Sequence, residues 1–222
     1  MSALSIGIVG GTGNLGEALA RRWLKAGYSI QIGSRTAEKA GTTADKLATE
    51  LQCQVVSGSN ADIAQNSDLI VITVPFSAQK ATLQDIKEHV QGKIVVDTTV
   101  PLMPPKVMRV QMPEEGSAAA RAEKILGDNV QLVSAFHSVA AHRLATDDEI
   151  HCDVMVFGDK KAARQTIVEL ANAAGLRGIH AGALVNSVAA EALTSILIFV
   201  NKNYAVDGAG IEFTGDLIIP SE

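Results

Sequence analysis

A glycine-rich turn near the start of the chain constrains the fold more than any other feature. The stretch GIVGGTGNLGEALARRW places Gly11, Gly13 and Gly16 in a G-x-G-x-x-G spacing between an apolar run and a helical pattern. At the start of a βαβ unit, this spacing is typical of dinucleotide-binding loops. Gly11 would allow the tight turn, Gly13 would let the backbone approach a pyrophosphate, and Gly16 would let the helix pack against the strand. The free N–H groups and the positive dipole end at the start of the helix would face the pyrophosphate. The sequence therefore predicts a dinucleotide site; the alternative is a turn that binds nothing.

Short β-branched runs alternate with helical patterns along the chain. The predicted strands lie at residues 4–9, 28–33, 68–74, 93–99, 130–136 and 152–158. This order predicts an α/β fold with a Rossmann-type, doubly wound parallel sheet. A long helical stretch is expected from about residue 183 to residue 204. We therefore expect an NADP-binding Rossmann domain at residues 1–180 and a small helical C-terminal extension at residues 181–222, packed on the same unit.

Composition and charge narrow the class of protein. The 222 residues are 47% hydrophobic, which provides a sizeable core, and the net charge of −5 argues against a broad nucleic-acid surface. Two distant cysteines without a CxxC motif favour a reduced cytoplasmic setting, and no metal site is expected because His and Cys residues lack ligand spacing. The N-terminus has no signal-peptide pattern, and the most apolar run, residues 192–200, is half the length needed to cross a bilayer. We expect a cytoplasmic protein without membrane contact whose partners are small molecules.

The end of the second predicted strand selects the dinucleotide. In an NAD site an acidic residue at this position accepts a hydrogen bond from the ribose 2′-hydroxyl. This chain instead has GSRTAEK. Ser34, Arg35 and Lys39 supply a hydroxyl and two cations that attract a 2′-phosphate, and Thr12 could add a hydroxyl from the first loop. The two cations would favour NADP by about 2–4 kcal/mol. The alternative is that Arg35, Glu38 and Lys39 form an ordinary solvated ion-pair cluster.

The glycine loop, together with GSRTAEKA, resembles the NADP oxidoreductases that depend on the deazaflavin coenzyme F420. Later segments look like that family's in the same order: DLIVITVPF, GKIVVDTTVPL, EEGSAAARAEKIL, LVSAFHSVAAHRL, DVMVFGD and AGALVNSVAAEALTSILIFVNKNY. The resemblance covers nearly the whole chain and is closer to bacterial than to archaeal members. It implies direct hydride transfer between nicotinamide C4 and deazaflavin C5, with the two rings stacked in a dry cleft and no covalent catalyst.

The resemblance also implies roles for individual residues. The residues implied to bind cofactor are Gly11, Thr12, Gly13, Asn14, Leu15, Gly16, Ser34, Arg35, Lys39, Val74, Val100, Ala141 and Ala209. Among them the valines line the path from adenine to nicotinamide, Ala141 holds the carboxamide through its backbone, and Ala209 reaches the second cofactor's pocket. His137 and Val139 match the pair that contacts the nicotinamide and deazaflavin rings and positions them. For His137 the alternative is a structural histidine bonded to backbone.

Two departures from the family pattern leave the second substrate open. Phe76 stands where a tryptophan is common, and VAAHRL lacks the proline of archaeal members. The alternatives are a soluble NADPH-dependent enzyme like the flavin and ferric reductases, using FMN or FAD, and a non-catalytic NADP sensor. Short-chain dehydrogenase chemistry is excluded because neither Tyr28 nor Tyr204 begins a Tyr-x-x-x-Lys motif. The helix expected around residues 186–204 is apolar on more than one face, which predicts a homodimer.

Overall fold

An eight-stranded sheet forms the centre of the molecule. The computed structural model describes residues 4–218, and within them the strand order is β3-β2-β1-β4-β5-β6-β7-β8. The strands are β1 Ser5–Val9, β2 Ser29–Ser34, β3 Val56–Ser59, β4 Leu69–Ile72, β5 Ile94–Asp97, β6 Gln131–Ser134, β7 Asp153–Gly158 and β8 Arg177–Gly182. The order reverses between β1 and β4, so the carboxyl ends of these two strands open a crevice where ligands bind in such folds. The predicted Rossmann-type α/β fold is confirmed.

Helices cover both faces of the sheet. They are α1 Asn14–Lys25, α2 Ala37–Leu51, α3 Asn60–Asn66, α4 Phe76–Ile86, α5 Ala118–Leu126, α6 Ala141–Leu144, α7 Lys161–Ala173 and α8 Ser187–Tyr204. One apolar core joins the sheet to α1, α2 and α7, and a second joins it to α3, α4 and α5. Trp23 on α1 is fully buried in the first core, and its indole N–H donates to the Leu170 carbonyl at 2.8 Å. This placement on both faces is the doubly wound arrangement that the sequence predicts.

The pairing of β6 with β7 differs from the expected parallel sheet. These strands are antiparallel, with Ser134 opposite Phe157, whereas every other neighbouring pair in the described sheet is parallel. A parallel connection needs a crossover back to the other edge of the sheet. The segment between β6 and β7 contains only the single turn α6, so it stays at the carboxyl edge. This segment carries His137, Val139 and Ala141, which therefore lie at the same edge as the glycine loop.

Three short elements were not anticipated from the sequence. β3 and β8 are the outermost strands and α3 is a seven-residue helix. β3 reads VSGS and β8 reads RGIHAG, so both lack the apolar runs that identify the central strands. α3 begins with a capping box in which the Ser59 hydroxyl accepts from the Asp62 N–H at 3.1 Å. That Ser-x-x-Asp spacing was the available signal for α3.

The C-terminal helix is longer than the apolar run within it. With the preceding turn, residues Leu184–Tyr204 form 21 helical residues of mean hydropathy 1.6, long and apolar enough to cross a membrane by length and composition. The whole helix is therefore long enough to span a bilayer, although residues 192–200 alone are not. Its inner face buries polar side chains at Ser187, Glu191 and Ser195. The expectation of no membrane contact stays a prediction.

Candidate dinucleotide and hydride-transfer site

The glycine loop forms a tight turn at the carboxyl end of β1. The Gly11 N–H donates to the Gly33 carbonyl at 2.9 Å and to the Ile8 carbonyl at 3.2 Å. The left-handed backbone lies one residue earlier than the sequence suggests, at Gly10, whose φ is +77°. Gly10 also donates its N–H to the side-chain oxygen of Asn60 at 3.2 Å. The turn is therefore held both by the neighbouring strand and by the first residue of α3.

Gly16 and Gly13 differ in what the protein itself requires of them. A Cβ on Gly16 would lie 2.6 Å from the Thr73 hydroxyl, so only glycine lets α1 pack this closely on the end of β4. A Cβ on Gly13 would lie 3.5 Å from the Gly10 carbonyl oxygen, which is an ordinary contact. Gly13 is exposed, and no side chain of the described residues caps α1. The first amides of α1, next to Thr12, Asn14 and Leu15, thus form an open helix N-terminus.

Two cations at the end of β2 form no ion pair within the part of the chain that the structure describes. Ser34 is buried, and its hydroxyl accepts from the Thr36 N–H at 3.4 Å. Arg35 and Lys39 are exposed at the start of α2, and within residues 4–218 neither forms an ion pair. The alternative of an ion-pair cluster with Glu38 therefore has no geometric support. Two free cations at a helix N-terminus oppose the helix dipole, so an anionic ligand is the simplest reason for them.

The ends of β4 and β5 approach the same crevice. Val74 packs over the loop, since its Cγ1 would lie 2.5 Å from a Cβ on Gly10. Val100 follows Asp97 and two buried threonines at the end of β5. Burial raises the pKa of the Asp97 carboxyl to about 6, although it accepts hydrogen bonds from Thr99 and Gln79. Both predicted valines are partly exposed, which leaves them open to a ligand.

His137 is buried and neutral. Its Nε2 lies 2.8 Å from the Ser134 hydroxyl, and its carbonyl accepts from the Thr194 hydroxyl at 2.9 Å. Burial lowers the pKa of His137 to about 4, so the ring carries no charge at neutral pH. The ring partner is a serine side chain rather than backbone, and the role of His137 stays a prediction.

The residue before His137 has an unusual backbone. Phe136 has φ +66° although it is bulky and buried, and such outliers occur where surrounding packing holds them. Its ring meets Trp23 edge-on, with centroids 6.0 Å apart and planes at 78°. The turn that presents His137 and Val139 is therefore anchored to α1, the helix that begins at the glycine loop.

The remaining predicted residues lie beside α1 and α6. Asn14 and Ala141 line one cleft of about 460 Å³ between α1, α2 and α6. Ala209 donates its N–H to the Asn201 side chain at 2.7 Å, and the neighbouring Gly208 packs against Ala140 and His142. The C-terminal segment thus returns to the turn that carries the predicted ring-contacting residues.

Comparison with known proteins identifies the family. The sequence model described as NADP oxidoreductase, coenzyme F420-dependent, matches residues 5–101. The F420-dependent NADP reductase of Methanothermobacter thermautotrophicus is 36% identical over 220 residues, which cover 95% of each chain. That of Methanocaldococcus jannaschii is 35% identical over 221 residues, which cover 95% of this chain and 98% of the other. This chain belongs to the coenzyme F420-dependent NADP oxidoreductase family.

A solved structure shares the fold of this family member. The protein from Arthrobacter sp. FB24, assigned as an F420-dependent NADP reductase, superposes with a TM-score of 0.80 over 95% of this chain and 99% of its own. Its identity of 21% supports the fold alone. The resemblance seen in the sequence is confirmed at the level of the family, and the placement nearer to bacterial members stays a prediction.

Several residues that shape this family member's site are not predicted from the sequence. They are Gly10, Asn60, Phe136 and Thr194. Gly10 was visible as the first glycine of the loop. The others act through contacts between distant segments, such as the 57 residues that separate Thr194 from His137. No local spacing marks such contacts.

Proposed function

We propose that this chain is an oxidoreductase that transfers a hydride between NADP(H) and the deazaflavin coenzyme F420. The observation that supports it best is the pair Arg35 and Lys39, which stands without a carboxylate partner in the described residues beside an open helix N-terminus. Family membership supplies the chemistry: the relatives described above are named F420-dependent NADP reductases. Because these two cations would bind a 2′-phosphate, they favour NADP over NAD as the dinucleotide.

The proposed NADP site follows the carboxyl edge of the sheet. The pyrophosphate would meet the amides of the glycine loop from Gly11 to Gly16, because Gly13 leaves room for close approach and α1 has an uncapped start. The 2′-phosphate would contact Ser34, Arg35 and Lys39, with Thr12 on the other side. Val74 and Val100 would line the path of the dinucleotide between the ends of β4 and β5. Ala141 would hold the carboxamide through its backbone.

When bound, NADPH would supply the hydride from its C4 and F420 would accept it at C5, with one proton taken up from solvent. The protein supplies position and a dry surface. We propose that His137 stays neutral and bonded to Ser134, which fixes the turn, and that Val139 presents an apolar contact to the rings. Ala209 would reach the second cofactor's pocket from the C-terminal segment.

The proposal extends to organisation and assembly. Residues 1–180 would act as the NADP-binding domain and residues 181–222 as a small extension packed on it. The outer face of α8 exposes Ile196 by 48% and Phe199 by 50%, and we propose that a second copy covers this face in a homodimer. We further propose that the protein works in the cytoplasm on small-molecule cofactors, without a nucleic acid and without insertion of α8 into a membrane.

Stopped-flow absorbance with NADPH and three acceptors, F420, FMN and FAD, tests this function. We expect rapid bleaching of the deazaflavin and slow or absent reduction of both flavins. Faster reduction of FMN or FAD would assign the chain to a flavin-using activity instead. Tight NADPH binding with no transfer to any of the three acceptors would indicate a sensor.

A further inference from the structure

A buried carboxylate joins the C-terminal helix to the Rossmann core. Glu191 on α8 is 1% exposed, and its side chain accepts from the N–H groups of Ala118 at 2.6 Å and Ala119 at 3.1 Å. The Ser187 hydroxyl donates to the same carboxylate at 3.2 Å. Within residues 4–218 this carboxylate forms no ion pair. Burial of a carboxyl group costs free energy, and here three hydrogen bonds offset part of that cost.

The two amides are the first of α5, so the contact fixes one helix against the other. Ser117 caps the next amide, because its hydroxyl accepts from the Ala120 N–H at 2.9 Å. The free N–H groups at the start of α5 are thus divided between its own cap and the carboxylate of α8. A slide of α8 along its axis would break two charge-assisted hydrogen bonds at once.

One helical turn further along α8, a side chain bonds to the loop turn that carries His137. Thr194, three residues after Glu191, donates its hydroxyl to the His137 carbonyl at 2.9 Å. Ser195 donates its hydroxyl to the Arg109 carbonyl at 3.3 Å, in the long loop between β5 and α5. One face of α8 therefore binds the start of α5 and two segments at the carboxyl edge. The position of each segment depends on the register that Glu191 sets.

The His137 turn needs such an external hold. Phe136 has a left-handed backbone that a bulky residue disfavours, and only surrounding contacts keep it there. Those contacts include the Trp23 ring, the bond between Ser134 and His137, and the Thr194 hydroxyl on the His137 carbonyl. Release of one of them would let Phe136 relax and would move His137 and Val139 together.

We propose that Glu191 is a positioning residue for hydride transfer: it fixes α8 on α5 and, through Thr194, holds the turn that presents His137 and Val139. The kinetic part rests on the proposed function, while the geometric part does not. An ionised carboxylate accepts from both amides, whereas a protonated one gives up part of that capacity. The two hydrogen bonds are therefore stronger with the ionised form, but the burial of its charge is costly and opposes the docking of α8.

The Glu191 carboxyl titrates in a range where the docking of α8 can be followed as a function of pH. Burial raises the pKa of the Glu191 carboxyl to about 7; the amides of Ala118 and Ala119 oppose that rise, and the charge of Asp97 on β5 adds to it. On α5, Arg121 pairs with Glu115, and the remaining charged side chains, Glu123 and Lys124, are exposed. Both forms of Glu191 are thus present at neutral pH, and since the buried site disfavours the charged form overall, the docking of α8 on α5 should loosen as the pH rises through about 7.

Glu191→Gln tests the proposal because it keeps the shape and removes the charge, and Glu169→Gln makes the same change at an exposed site on α7. The chain has one tryptophan, Trp23, so 5-fluorotryptophan labelling gives a single ¹⁹F resonance beside Phe136. In the wild type this resonance should move with pH, with a midpoint near 7. In Glu191→Gln it should be displaced from the wild-type position at pH 6 and no longer move with pH, whereas Glu169→Gln should match the wild type.

The kinetic arm uses the same variants at saturating NADPH with F420 as acceptor. At pH 6 the kcat of Glu191→Gln should be about tenfold below that of the wild type, because small misplacement of reacting groups is costly, while the KM for NADPH stays within twofold. The wild-type kcat should fall as the pH rises through 7, and the variant's should not. A resonance in Glu191→Gln that coincides with the wild type overturns the proposal, and so does a moved resonance with unchanged kcat.

Should the wild type fail to reduce F420, the proposed function falls, and the resonance alone decides the case for Glu191. Should Glu191→Gln fail to fold, a wild-type resonance that does not move between pH 5 and pH 8 overturns the proposal.

Discussion

The buried Glu191 predicts that the stability of this protein decreases as the pH rises toward neutrality. Its folded-state pKa of about 7 lies above the usual value of 4.5, so the folded protein holds a proton that the unfolded chain has released. Each pKa unit corresponds to 1.36 kcal/mol, and a rise from 4.5 to about 7 therefore costs about 3 kcal/mol once the group is ionised. Linkage places about 2.5 kcal/mol of this loss between pH 5 and pH 8.

The assay is urea unfolding of the wild type and Glu191→Gln at pH 5, 6, 7 and 8, at one protein concentration. Asp97, whose pKa is also raised by burial, contributes a loss of the same sign to both proteins, and this contribution largely cancels in the difference. The free energy of unfolding of the variant should gain about 2.5 kcal/mol on that of the wild type between pH 5 and pH 8. A difference that stays constant over this range would refute the reasoning.

Three further predictions concern the cofactor site and the assembly. Arg35→Ala should raise the KM for NADPH at least tenfold and leave NADH use nearly unchanged, with Lys87→Ala, at the far end of α4, as the control; equal effects on both dinucleotides would contradict the NADP assignment. Gly16→Ala should weaken NADPH binding at least tenfold and lower stability by about 1–3 kcal/mol, because the new methyl group meets Thr73 at 2.6 Å; calorimetry showing neither effect would remove the packing argument. Phe199→Glu should convert a dimer into a monomer in light scattering, and a wild type that is already monomeric at micromolar concentration would rule out the dimer.

The central strands and the glycine loop could be predicted because their signals are local. β4 reads LIVI and is buried on both faces, and the glycine spacing sits between a strand and a helix. β3 and β8 were missed because edge strands need not be apolar. The reversed direction of β7 was missed because an apolar run indicates a strand but carries no direction. Only the short connection through α6 sets that direction.

The candidate site divides in the same way. Arg35 and Lys39 follow the second strand directly, so their position at the carboxyl edge could be predicted from order alone. The contacts that hold this edge in place could not be predicted from the sequence. Asn60 bonds to Gly10 across 50 residues, and Glu191 bonds to Ala118 across 73. The strained backbone of Phe136 is likewise a product of packing between α1, β6 and α8. Such features depend on the assembled fold rather than on spacing within one segment.

The proposed NADP site depends most on Arg35 and Lys39, for which residues 4–218 provide no carboxylate partner. A crystal structure of the protein with NADP⁺ bound tests that claim directly. We expect the 2′-phosphate within hydrogen-bonding distance of the Arg35 guanidinium, with the Lys39 ammonium beside it and the diphosphate over the amides of the glycine loop. A 2′-phosphate that points into solvent, away from both side chains, would contradict the account.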